Sequence, residues 1–382
     1  MTKNTKYKIL SIVGARPNFV KAAPLSKAFS KNTCLEEIIV HTGQHYDYLL
    51  SESFFKDLDI PSPHYNLGIG SGRQAWQLGK MIAGIDSVIK KENPDAIVVF
   101  GDTNSTAAGA IAGAKNYIPV AHIEAGLREF DKAIPEEVNK LLITASADLY
   151  FCPTPTAISN LAKMGITKGV HLVGDIGIDL IVNNLGKIKT LEEQVLKQYE
   201  LKIGQYFFVT CHRVANTEVL DNLEQILSTF EELPLPYVFP IHPRTRKAIT
   251  ITGMSIPSGA VEPIGFFETQ ALIRNAYMVI TDSGGIIKEA YFHKTPCIII
   301  DKQTEWLETV EEGWSVVTGP DKMRILELVT MKNAGNFTPA SGKWAPDLPH
   351  TNCLGNGTAS FKIVKILKNY LSGVATDNKQ YA

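Results

Sequence analysis

The chain has 382 residues, a length that favours two domains, and 45% of its residues are hydrophobic, enough for two cores. Its formal net charge of −1 gives no electrostatic reason to expect nucleic acid or a membrane surface as a partner. No apolar run reaches the roughly 20 residues that a membrane-spanning helix needs, and the N-terminus lacks a secretory signal pattern. Five widely spaced cysteines, without CxxC or metal-ligand spacing, predict a cytoplasmic protein with free thiols and no metal site.

In the first half of the chain, strand-like and helix-like segments alternate. Apolar runs predict strands at residues 7–13, 37–41, 96–100, 120–123 and 149–152. Helical spacing and turn signals predict helices at residues 21–29, 73–91, 107–116, 136–146 and 157–164. Residues 54–67 carry turn signals and are predicted to form a loop. This alternation is typical of a doubly wound parallel sheet.

A second set of the same pattern follows a polar, helix-like stretch at residues 175–200, which we interpret as the domain boundary. Strands are predicted at residues 206–210, 237–241, 278–281 and 297–300, and helices at residues 219–232, 270–275, 285–292 and 360–371. Residues 333–356, rich in Gly, Pro and Asn, are predicted to form a long connection. Two similar α/β domains predict a ligand-binding cleft between them.

Three acidic residues lie at or just beyond apolar runs in the segment from residue 100 to 140: Asp102, Glu124 and Glu136. Ligands of open α/β sheets bind beyond the carboxyl ends of the strands, so we expect three carboxylates at successive strand ends around one ligand. Carboxylates that share a ligand push their pKa values apart, which lets one act as a base and another as an acid. The simpler interpretation is an N-cap at Asp102 and an i, i+4 salt bridge from Glu136 to Lys140.

Two cations, Arg16 and Lys21, lie in a glycine turn that opens the first predicted helix. We expect this turn to present its backbone N–H groups and both cations to an anion. The glycine is also compatible with a simple turn. The segment is not GxGxxG, which disfavours a dinucleotide site.

The segment TDSGG, residues 281–285, follows a predicted strand and opens a helix that carries Glu289. Its small residues would let a diphosphate approach the helix N-terminus, and Glu289 would then bind a ribose diol. The alternative interpretation is an N-cap followed by a glycine turn.

Other polar residues follow predicted strands. His212 and Arg213 occupy a position suited to hydrogen bonding or protonating a leaving phosphate. His242 lies in a similar basic segment, IHPRTR, which is also compatible with a solvated loop. Gln44 and His45 follow the strand at 37–41, without the spacing of metal ligands. Trp306 is compatible with a core position or with a sugar pocket.

Ten motifs occur in order over nearly the whole chain: GARPxxxK, HTGQH, GDTNST, HIEAGLR, PEEVNK, HRxxNT, HPRT, TDSGGxxxEA, QTEW and GNGTAS. By this set the chain resembles the non-hydrolysing UDP-N-acetylglucosamine 2-epimerase family. The resemblance implies a glycosyltransferase-B-like fold with two Rossmann-like domains, residues 1–180 and 181–358, and a central cleft. It also implies a C-terminal helix and tail, residues 359–382, that cross back to the first domain, a homodimer, and no nicotinamide or other cofactor.

The reaction that the resemblance implies is 2-epimerisation of a UDP-sugar. UDP leaves C1 while C2 loses a proton, and UDP then re-adds to the glycal with a proton delivered to the other face of C2. By motif match, Asp102, Glu124 and Glu136 do the acid–base work and His212 assists departure of UDP; which carboxylate serves which face stays open. The match assigns UDP binding to Arg16, Lys21, Ser283, Gly284, Gly285 and Glu289, and further substrate contacts to Gln44, Lys140, Arg213 and His242.

Several positions depart from the family pattern. Lys140 stands where Arg is common, which keeps the charge and loses a bidentate fork. Asn18 stands where Glu or Gln is usual, and Asp301-Lys302 reverses a common Arg-Asp pair. QTEW together with GARP resembles the branch that acts on UDP-2,3-diacetamido-2,3-dideoxy-glucuronic acid as well as some epimerases for UDP-N-acetylglucosamine, so the substrate stays open.

Regulation and reaction type also have alternatives. Gln44, His45 and Gln74 match the region where many bacterial family members bind UDP-N-acetylglucosamine as an allosteric activator. A hydrolysing epimerase, a glycosyltransferase on the same fold and a non-catalytic sugar-nucleotide sensor remain alternatives to the 2-epimerase.

Overall fold

The structure is a computed structural model that describes residues 6–44, 57–333 and 350–373. Within these ranges the chain forms two compact units. Unit 1 takes in the described residues up to Asn183 and those from Leu354 onward, and unit 2 extends from Asn184 to Cys353. His45 and most of the predicted connection at 333–356 lie outside the described residues.

Unit 1 contains a seven-stranded sheet in which all strand pairs are parallel. Its strands are β1 (Tyr7–Val13), β2 (Leu35–His41), β3 (Tyr65–Asn66), β4 (Ala96–Phe100), β5 (Val120–Ile123), β6 (Leu149–Cys152) and β7 (Val170–Leu172). The order across the sheet is β3-β2-β1-β4-β5-β6-β7. Every residue of β4 and β5 is buried, as expected for central strands of a parallel sheet.

The described helices of unit 1 alternate with these strands, and a helix also follows β7. They are α1 (Arg16–Ser30), α2 (Gln74–Glu92), α3 (Asn104–Lys115), α4 (Pro135–Ser146), α5 (Pro155–Lys163) and α6 (Ile176–Asn183). A core of aliphatic side chains lies between the sheet and these helices, with Ile12 and Val99 on the strands and Met81 and Ala108 on α2 and α3. The helix α15 (Ala359–Leu371) also belongs to unit 1, where it contacts α1 and α6.

Unit 2 repeats the design with a six-stranded parallel sheet. Its strands are β8 (Phe207–Val209), β9 (Tyr237–Pro240), β10 (Ala260–Val261), β11 (Met278–Thr281), β12 (Cys297–Ile299) and β13 (Ser315–Val317), in the order β10-β9-β8-β11-β12-β13. Its helices are α7 (Leu185–Gln198), α8 (Val214–Thr217), α9 (Leu220–Glu231), α10 (Pro243–Thr252), α11 (Phe266–Asn275), α12 (Gly284–Phe292), α13 (Leu307–Glu311) and α14 (Lys322–Asn333). The predicted α/β class with two doubly wound domains is confirmed.

Each sheet has a topological switch point, where the strand order reverses direction. It lies between β1 and β4 in unit 1 and between β8 and β11 in unit 2. Ligands of this fold bind beyond the carboxyl ends of the strands at that point. Asp102 follows β4, and His212 and Asp282 follow β8 and β11, so the fold brings candidate side chains to both switch points.

Some predicted boundaries differ from the observed ones. The first helix begins at Arg16 rather than residue 21, because Pro17 fits a first helical turn, where its missing N–H has no intrahelical partner to lose. The polar stretch at 175–200 contains the two helices α6 and α7. The short strands β3, β7, β10 and β13 were missed, since two or three residues show no periodicity. No helix in the described ranges combines the length and hydropathy needed to cross a bilayer.

Candidate active site

Asp102 lies just beyond β4, after Gly101, whose φ of +66° suits glycine. The N-cap of α3 is Thr103, whose side chain accepts a hydrogen bond from the N–H of Thr106. The N-cap alternative for Asp102 is therefore wrong, because the threonine hydroxyl occupies that role. Asp102 Oδ2 lies 3.4 Å from Lys140 Nζ instead.

Glu124 directly follows β5 in a left-handed backbone conformation, with φ of +67°, that is uncommon for a residue with a side chain. Its own N–H and that of Ala125 each donate to the carbonyl oxygen of Phe151 at 3.1 Å, which holds the conformation. The carboxylate forms an ion pair with Lys21 Nζ, and the two side chains are only 11% and 10% exposed. Backbone strain of this kind clusters at functional sites.

Gly101 brings these groups close together. A Cβ at this position would lie 2.7 Å from Lys21 Nζ and 3.3 Å from Glu124 Oε2. The turn that carries Asp102 therefore packs against the Lys21–Glu124 ion pair, and a Cβ at Gly101 would require Lys21 Nζ to shift. Two of the three predicted carboxylates, Asp102 and Glu124, share this location at the ends of adjacent strands.

His122 on β5 supports the same turn from inside the unit. Its Nε2 lies 2.8 Å from the carbonyl oxygen of Gly101, and a carbonyl only accepts, so Nε2 carries the proton and donates. Burial lowers the pKa of His122 to about 4, so the ring is neutral at pH 7. The histidine thus fixes the turn without adding a cation beside Asp102 and Glu124.

Glu136, the third predicted carboxylate, is not at a strand end. It is exposed in the first turn of α4, after the connection of residues 124–134, so the prediction of three successive strand ends is wrong for this residue. The adjacent Glu137 is fully buried and accepts hydrogen bonds from Arg128 Nε at 2.6 Å and from the N–H of Glu129 at 2.9 Å. Lys140, one turn along α4, pairs with Asp102 and Glu129, each at 3.4 Å.

The glycine turn after β1 differs from its prediction. The N–H groups of Gly14 and Ala15 both donate to Asn18 Oδ1, at 3.2 and 3.0 Å, so the expectation that they face an anion is wrong. Asn18 Nδ2 donates to the carbonyl oxygen of Phe100 at 2.8 Å. Asn18, which departs from the family pattern, therefore joins the ends of β1 and β4 through its side-chain hydrogen bonds. Of the two predicted cations, Arg16 is exposed and Lys21 pairs with Glu124.

Gln44 connects the end of β2 to the same region. Its Oε1 accepts from the N–H of Ser105 at 3.0 Å and from Ser105 Oγ at 2.7 Å, at the first turn of α3. Its side chain is partly buried within unit 1.

In unit 2, a buried aspartate organises the residues after β8. Asp282, 1% exposed, accepts from the N–H groups of His212 and Arg213, both at 2.9 Å, and lies 3.0 Å from His212 Nδ1. Burial opposes its ionisation, yet the charge and hydrogen bonds of His212 and the backbone hold the pKa of Asp282 at about 2. The carboxylate is therefore ionised at pH 7 and fixes the orientation of the His212 ring.

Arg213 and His242 flank this pair. The Nε of Arg213 donates to the carbonyl oxygen of Asp282, and its NH1 group lies 3.0 Å from Asp301 Oδ2. The reversed Asp301-Lys302 pair thus supplies a partner for Arg213. His242 is the N-cap of α10, and its ring centroid lies 5.5 Å from that of His212.

The TDSGG segment ends β11 and begins α12. Ser283 is at the N-cap position, but its side chain makes no capping hydrogen bond, so the bond that defines the capping alternative is missing. A Cβ on Gly284 would lie 3.3 Å from Trp306 Nε1, a tight contact, and Gly285 continues the first turn. Trp306 is 1% exposed and is a core residue.

Glu289, one turn into α12, is part of a buried hydrogen-bond chain. Gln270 Nε2 donates to Glu289 Oε2 at 2.8 Å, and His293 Nε2 lies 3.0 Å from Gln270 Oε1, which can only accept. Burial and the nearby Arg274 lower the pKa of His293 to about 3, so this histidine is neutral at pH 7. These hydrogen bonds fix the orientation of the Glu289 carboxylate.

Each unit, taken by itself, offers groups suited to a particular chemistry. Unit 1 offers carboxylates next to lysines at strand ends, which suits proton transfer at a carbon beside a developing positive charge. Unit 2 offers a histidine held by a carboxylate and a glycine-rich helix N-terminus, which suits a diphosphate. Across the described ranges, no group of three or more His, Cys, Asp or Glu side chains is placed to hold a metal ion.

Comparison with known proteins decides the family. The family model described as UDP-N-acetylglucosamine 2-epimerase matches residues 27–368. The chain belongs to the UDP-N-acetylglucosamine 2-epimerase family. It is 43% identical to a UDP-N-acetylglucosamine 2-epimerase homolog of Methanococcus maripaludis over 368 residues, which cover 95% of this chain and 99% of that protein.

Two further members of the 2-epimerase family are also similar to this chain over most of its length. The UDP-2,3-diacetamido-2,3-dideoxy-D-glucuronate 2-epimerase of Pseudomonas aeruginosa is 40% identical over 324 residues, covering 84% of this chain and 90% of that one. The UDP-GlcNAc 2-epimerase of Methanocaldococcus jannaschii, solved in complex with UDP-GlcNAc and UDP, superposes with a TM-score of 0.84 at 35% identity, covering 94% and 99%. The predicted family, the isomerase class and the glycosyltransferase-B-like fold are confirmed.

Several residues that shape the candidate site were not predicted. Asp282 was part of a quoted motif, yet nothing in the sequence indicated that it would hold His212. His122 lies two residues before Glu124, and Asn139, which donates a hydrogen bond to the carbonyl oxygen of Asp102, directly precedes Lys140. Closeness in sequence does not give the direction of a side chain. A buried charge or amide is identified only by its partners, which come from distant segments.

Proposed function

We propose that this chain is a non-hydrolysing 2-epimerase that interconverts UDP-N-acetylglucosamine and UDP-N-acetylmannosamine. The reaction eliminates UDP to give a glycal and then adds UDP back with the proton on the other face of C2. The proposal is supported by membership of the family, by the names of its relatives, and by the related structure that holds UDP-GlcNAc and UDP.

The observation that carries the proposal is the pairing of Asp102 and Glu124 with lysines at the ends of adjacent strands. The proton on C2 is not acidic, so cleavage at C1 must lead and build positive charge on the ring. Carboxylates beside the ring stabilise that charge and exchange the proton. Asp102, Glu124 and Glu136 take the acid–base roles in this proposal.

The nucleotide half of the proposal rests on unit 2. His212, oriented by Asp282, hydrogen bonds or protonates the leaving UDP. Ser283, Gly284 and Gly285 form the helix N-terminus that receives the diphosphate, and Glu289 binds the ribose. The remaining proposed substrate contacts are Arg16, Lys21, Gln44, Lys140, Arg213 and His242.

A second candidate substrate is UDP-2,3-diacetamido-2,3-dideoxy-glucuronic acid. It is favoured by the relative of Pseudomonas aeruginosa that carries this activity in its name and is 40% identical. The same C2 chemistry serves both sugars, so the two candidates differ in the groups on the ring and not in the reaction.

The proposal includes a cellular location and a quaternary structure. A cytoplasmic location agrees with the cysteines, which form no disulfide in the described residues. A homodimer and an allosteric site for UDP-N-acetylglucosamine are supported by the family relationship alone.

The proposal is tested by incubating the enzyme with each sugar nucleotide in deuterated water. We expect deuterium at C2 of at least one of them, and the sugar that exchanges faster identifies the substrate. Irreversible accumulation of UDP would indicate a hydrolysing epimerase instead, and transfer to an acceptor without exchange a glycosyltransferase. Binding without any exchange would leave a sugar-nucleotide sensor and reject the epimerase.

Asp102→Asn tests the role of the first carboxylate. We expect exchange to fall by at least about 100-fold, because a positioned acid or base is lost. UDP affinity should change little, since the proposed nucleotide contacts lie mainly in unit 2. Asp86→Asn, which changes an aspartate on α2 that pairs with Lys90, is the matched control and should keep full activity. An active Asp102→Asn variant would remove the residue from the mechanism.

A further inference from the structure

A chain of buried amides in unit 1 ends on the backbone of Asp102. Asn139 Nδ2, on α4, donates to the carbonyl oxygen of Asp102 at 2.9 Å and to Asn104 Oδ1 at 3.1 Å. Asn104 Nδ2 donates to Gln77 Oε1 at 2.9 Å, and Gln77 Nε2 donates to the carbonyl oxygen of Gly70 at 2.7 Å. The residues Asn139, Asn104 and Gln77 are 7%, 6% and 6% exposed.

The orientation of each amide in this chain follows from its two ends. A backbone carbonyl accepts and never donates, so Asn139 must turn its NH₂ group toward Asp102, and Gln77 must turn its NH₂ group toward Gly70. The second proton of Asn139 then requires the oxygen of Asn104, which leaves the NH₂ group of Asn104 for the oxygens of Gln77 and, at 2.6 Å, of Gln74. All these assignments agree, so flipping the amide of Asn139, Asn104 or Gln77 would break at least two hydrogen bonds.

The next residue on α4 contacts the same aspartate. Lys140 Nζ lies 3.4 Å from Asp102 Oδ2, while Asn139 bonds the Asp102 carbonyl oxygen. Two consecutive residues of one helix therefore hold the backbone and the carboxylate of Asp102. Asn18 and His122 hold the carbonyl oxygens of Phe100 and Gly101 just before it.

We propose that Asn139 is a positioning residue that sets the peptide plane of Asp102 and thereby aims its carboxylate at the substrate. The inference rests on the proposed function, because it gives Asp102 a reacting proton to face. Asn139 itself bonds protein groups and is not a catalytic residue. Its contribution belongs to the chemical step, since a small misplacement of a reacting group costs rate more than it costs ground-state binding.

Asn139→Asp is the sharpest test, because it keeps the shape and removes the NH₂ group that both hydrogen bonds need. We expect kcat for deuterium exchange at C2 to fall by about 10- to 100-fold while KM and the affinity for UDP change by less than about threefold. The loss should shrink as the pH is lowered, because the introduced carboxyl, once protonated, regains one O–H donor for the Asp102 carbonyl. The ratio of variant to wild-type rates, measured from pH 8 to pH 5, reports this recovery.

Two further variants separate positioning from general stability. Asn275→Asp is the matched control: Asn275 is 8% exposed, also donates to a backbone carbonyl, that of Ala271, and belongs to unit 2. It should lower the thermal midpoint without lowering kcat. Asn139→Ser removes the amide without adding a charge, and should show the same fall in kcat without recovery at low pH.

The outcomes distinguish this inference from the proposed function. If wild-type enzyme exchanges deuterium and both Asn139 variants keep kcat within about threefold, the positioning role is rejected and the epimerase stands. An equal loss in the Asn275→Asp variant would also reject it, as would a rise in KM with kcat unchanged. If wild-type enzyme exchanges neither sugar, both the proposed function and the inference fail.

Discussion

At the scale of single residues, the candidate site combines strain with buried charge. Glu124 has a left-handed backbone and a carboxylate paired with Lys21, and both side chains are almost fully enclosed. Removing one partner of such a pair leaves the other charge buried and unpaired. The resulting loss of folding free energy exceeds the net contribution of the intact pair. His122 is the neutral member of this group, because burial lowers its pKa to about 4.

His122 predicts a pH dependence of folding stability. Its pKa of about 4 lies below the ordinary value of 6.5, so the unfolded chain binds a proton that the folded protein rejects as the pH falls from 6.5 to 4. We expect the free energy of unfolding to drop by about 3 kcal/mol over that window from this residue alone. Chemical denaturation at pH 7 and pH 4 measures it.

His122→Gln provides the control for this prediction, because glutamine keeps an N–H donor for Gly101 and does not titrate. Between pH 7 and pH 4, the free energy of unfolding of the variant should fall by about 3 kcal/mol less than that of the wild type. Equal pH dependence in the two proteins would show that His122 is already protonated, or solvated, in the folded state.

At the scale of elements, α3 approaches the sheet of unit 1 closely because it carries glycine on its inner face. A Cβ on Gly109 would lie 2.8 Å from Val99 Cγ1 and 2.9 Å from Ile12 Cγ1, which are side chains of β4 and β1. A Cβ on Gly113 would meet Val120 Cγ2, on β5, at 2.6 Å. The close packing fixes the N-terminus of α3, and with it Asn104 and the turn at Asp102.

Gly109→Ala tests whether this close approach matters for stability. We expect the substitution to destabilise the fold by about 1–2 kcal/mol, because overpacking outweighs the gain in helix propensity. Gly79→Ala on α2 is the matched control, since a Cβ there meets no atom within 4 Å. That variant should be stabilised by about 0.5–1 kcal/mol. If both variants gained stability in thermal or denaturant unfolding, α3 would have room to move away from the sheet.

At the scale of the whole molecule, unit 1 is discontinuous in sequence. Its last helix, α15, is attached through Asp179 of α6, whose carboxylate accepts from the N–H groups of Ala359 at 3.0 Å and Ser360 at 2.7 Å and from Ser360 Oγ at 2.6 Å. Burial raises the pKa of Asp179 against these bonds. The chain thus leaves unit 1 at Asn183, forms unit 2, and returns to a buried acceptor.

Asp179→Ala should destabilise unit 1 and spare unit 2. Loss of the acceptor leaves buried N–H groups at the start of α15 unpaired, so we expect a cost of about 2 kcal/mol. Hydrogen exchange should accelerate in β1, β2 and α15 and stay unchanged in β8 and β11. Asp321→Ala, which removes a hydrogen bond to the N–H of Arg324 in unit 2, is the reciprocal control. Equal acceleration in both units after either change would show that they unfold as one.

The sequence predicted much of the fold because long apolar runs identify their own structure. Strands β1, β4, β5, β6 and β11 have the predicted bounds, since each is a largely apolar segment between turn signals. Shorter strands such as β7 and β13 escaped prediction, because three residues carry too little pattern. The family followed from motifs spread over the chain, and the comparisons confirm it.

What the sequence determined by itself was the alternation of elements, the family, and the placement of Asp102, Glu124 and His212 after strands, all of which are local or ordered along the chain. Only the tertiary structure decided which of Glu136 and Glu137 is buried, that Asp282 holds His212, and that Asn139 bonds the backbone of Asp102. The physical reason is that a hydrogen bond or ion pair depends on two groups meeting, and in these cases packing of distant elements brings them together.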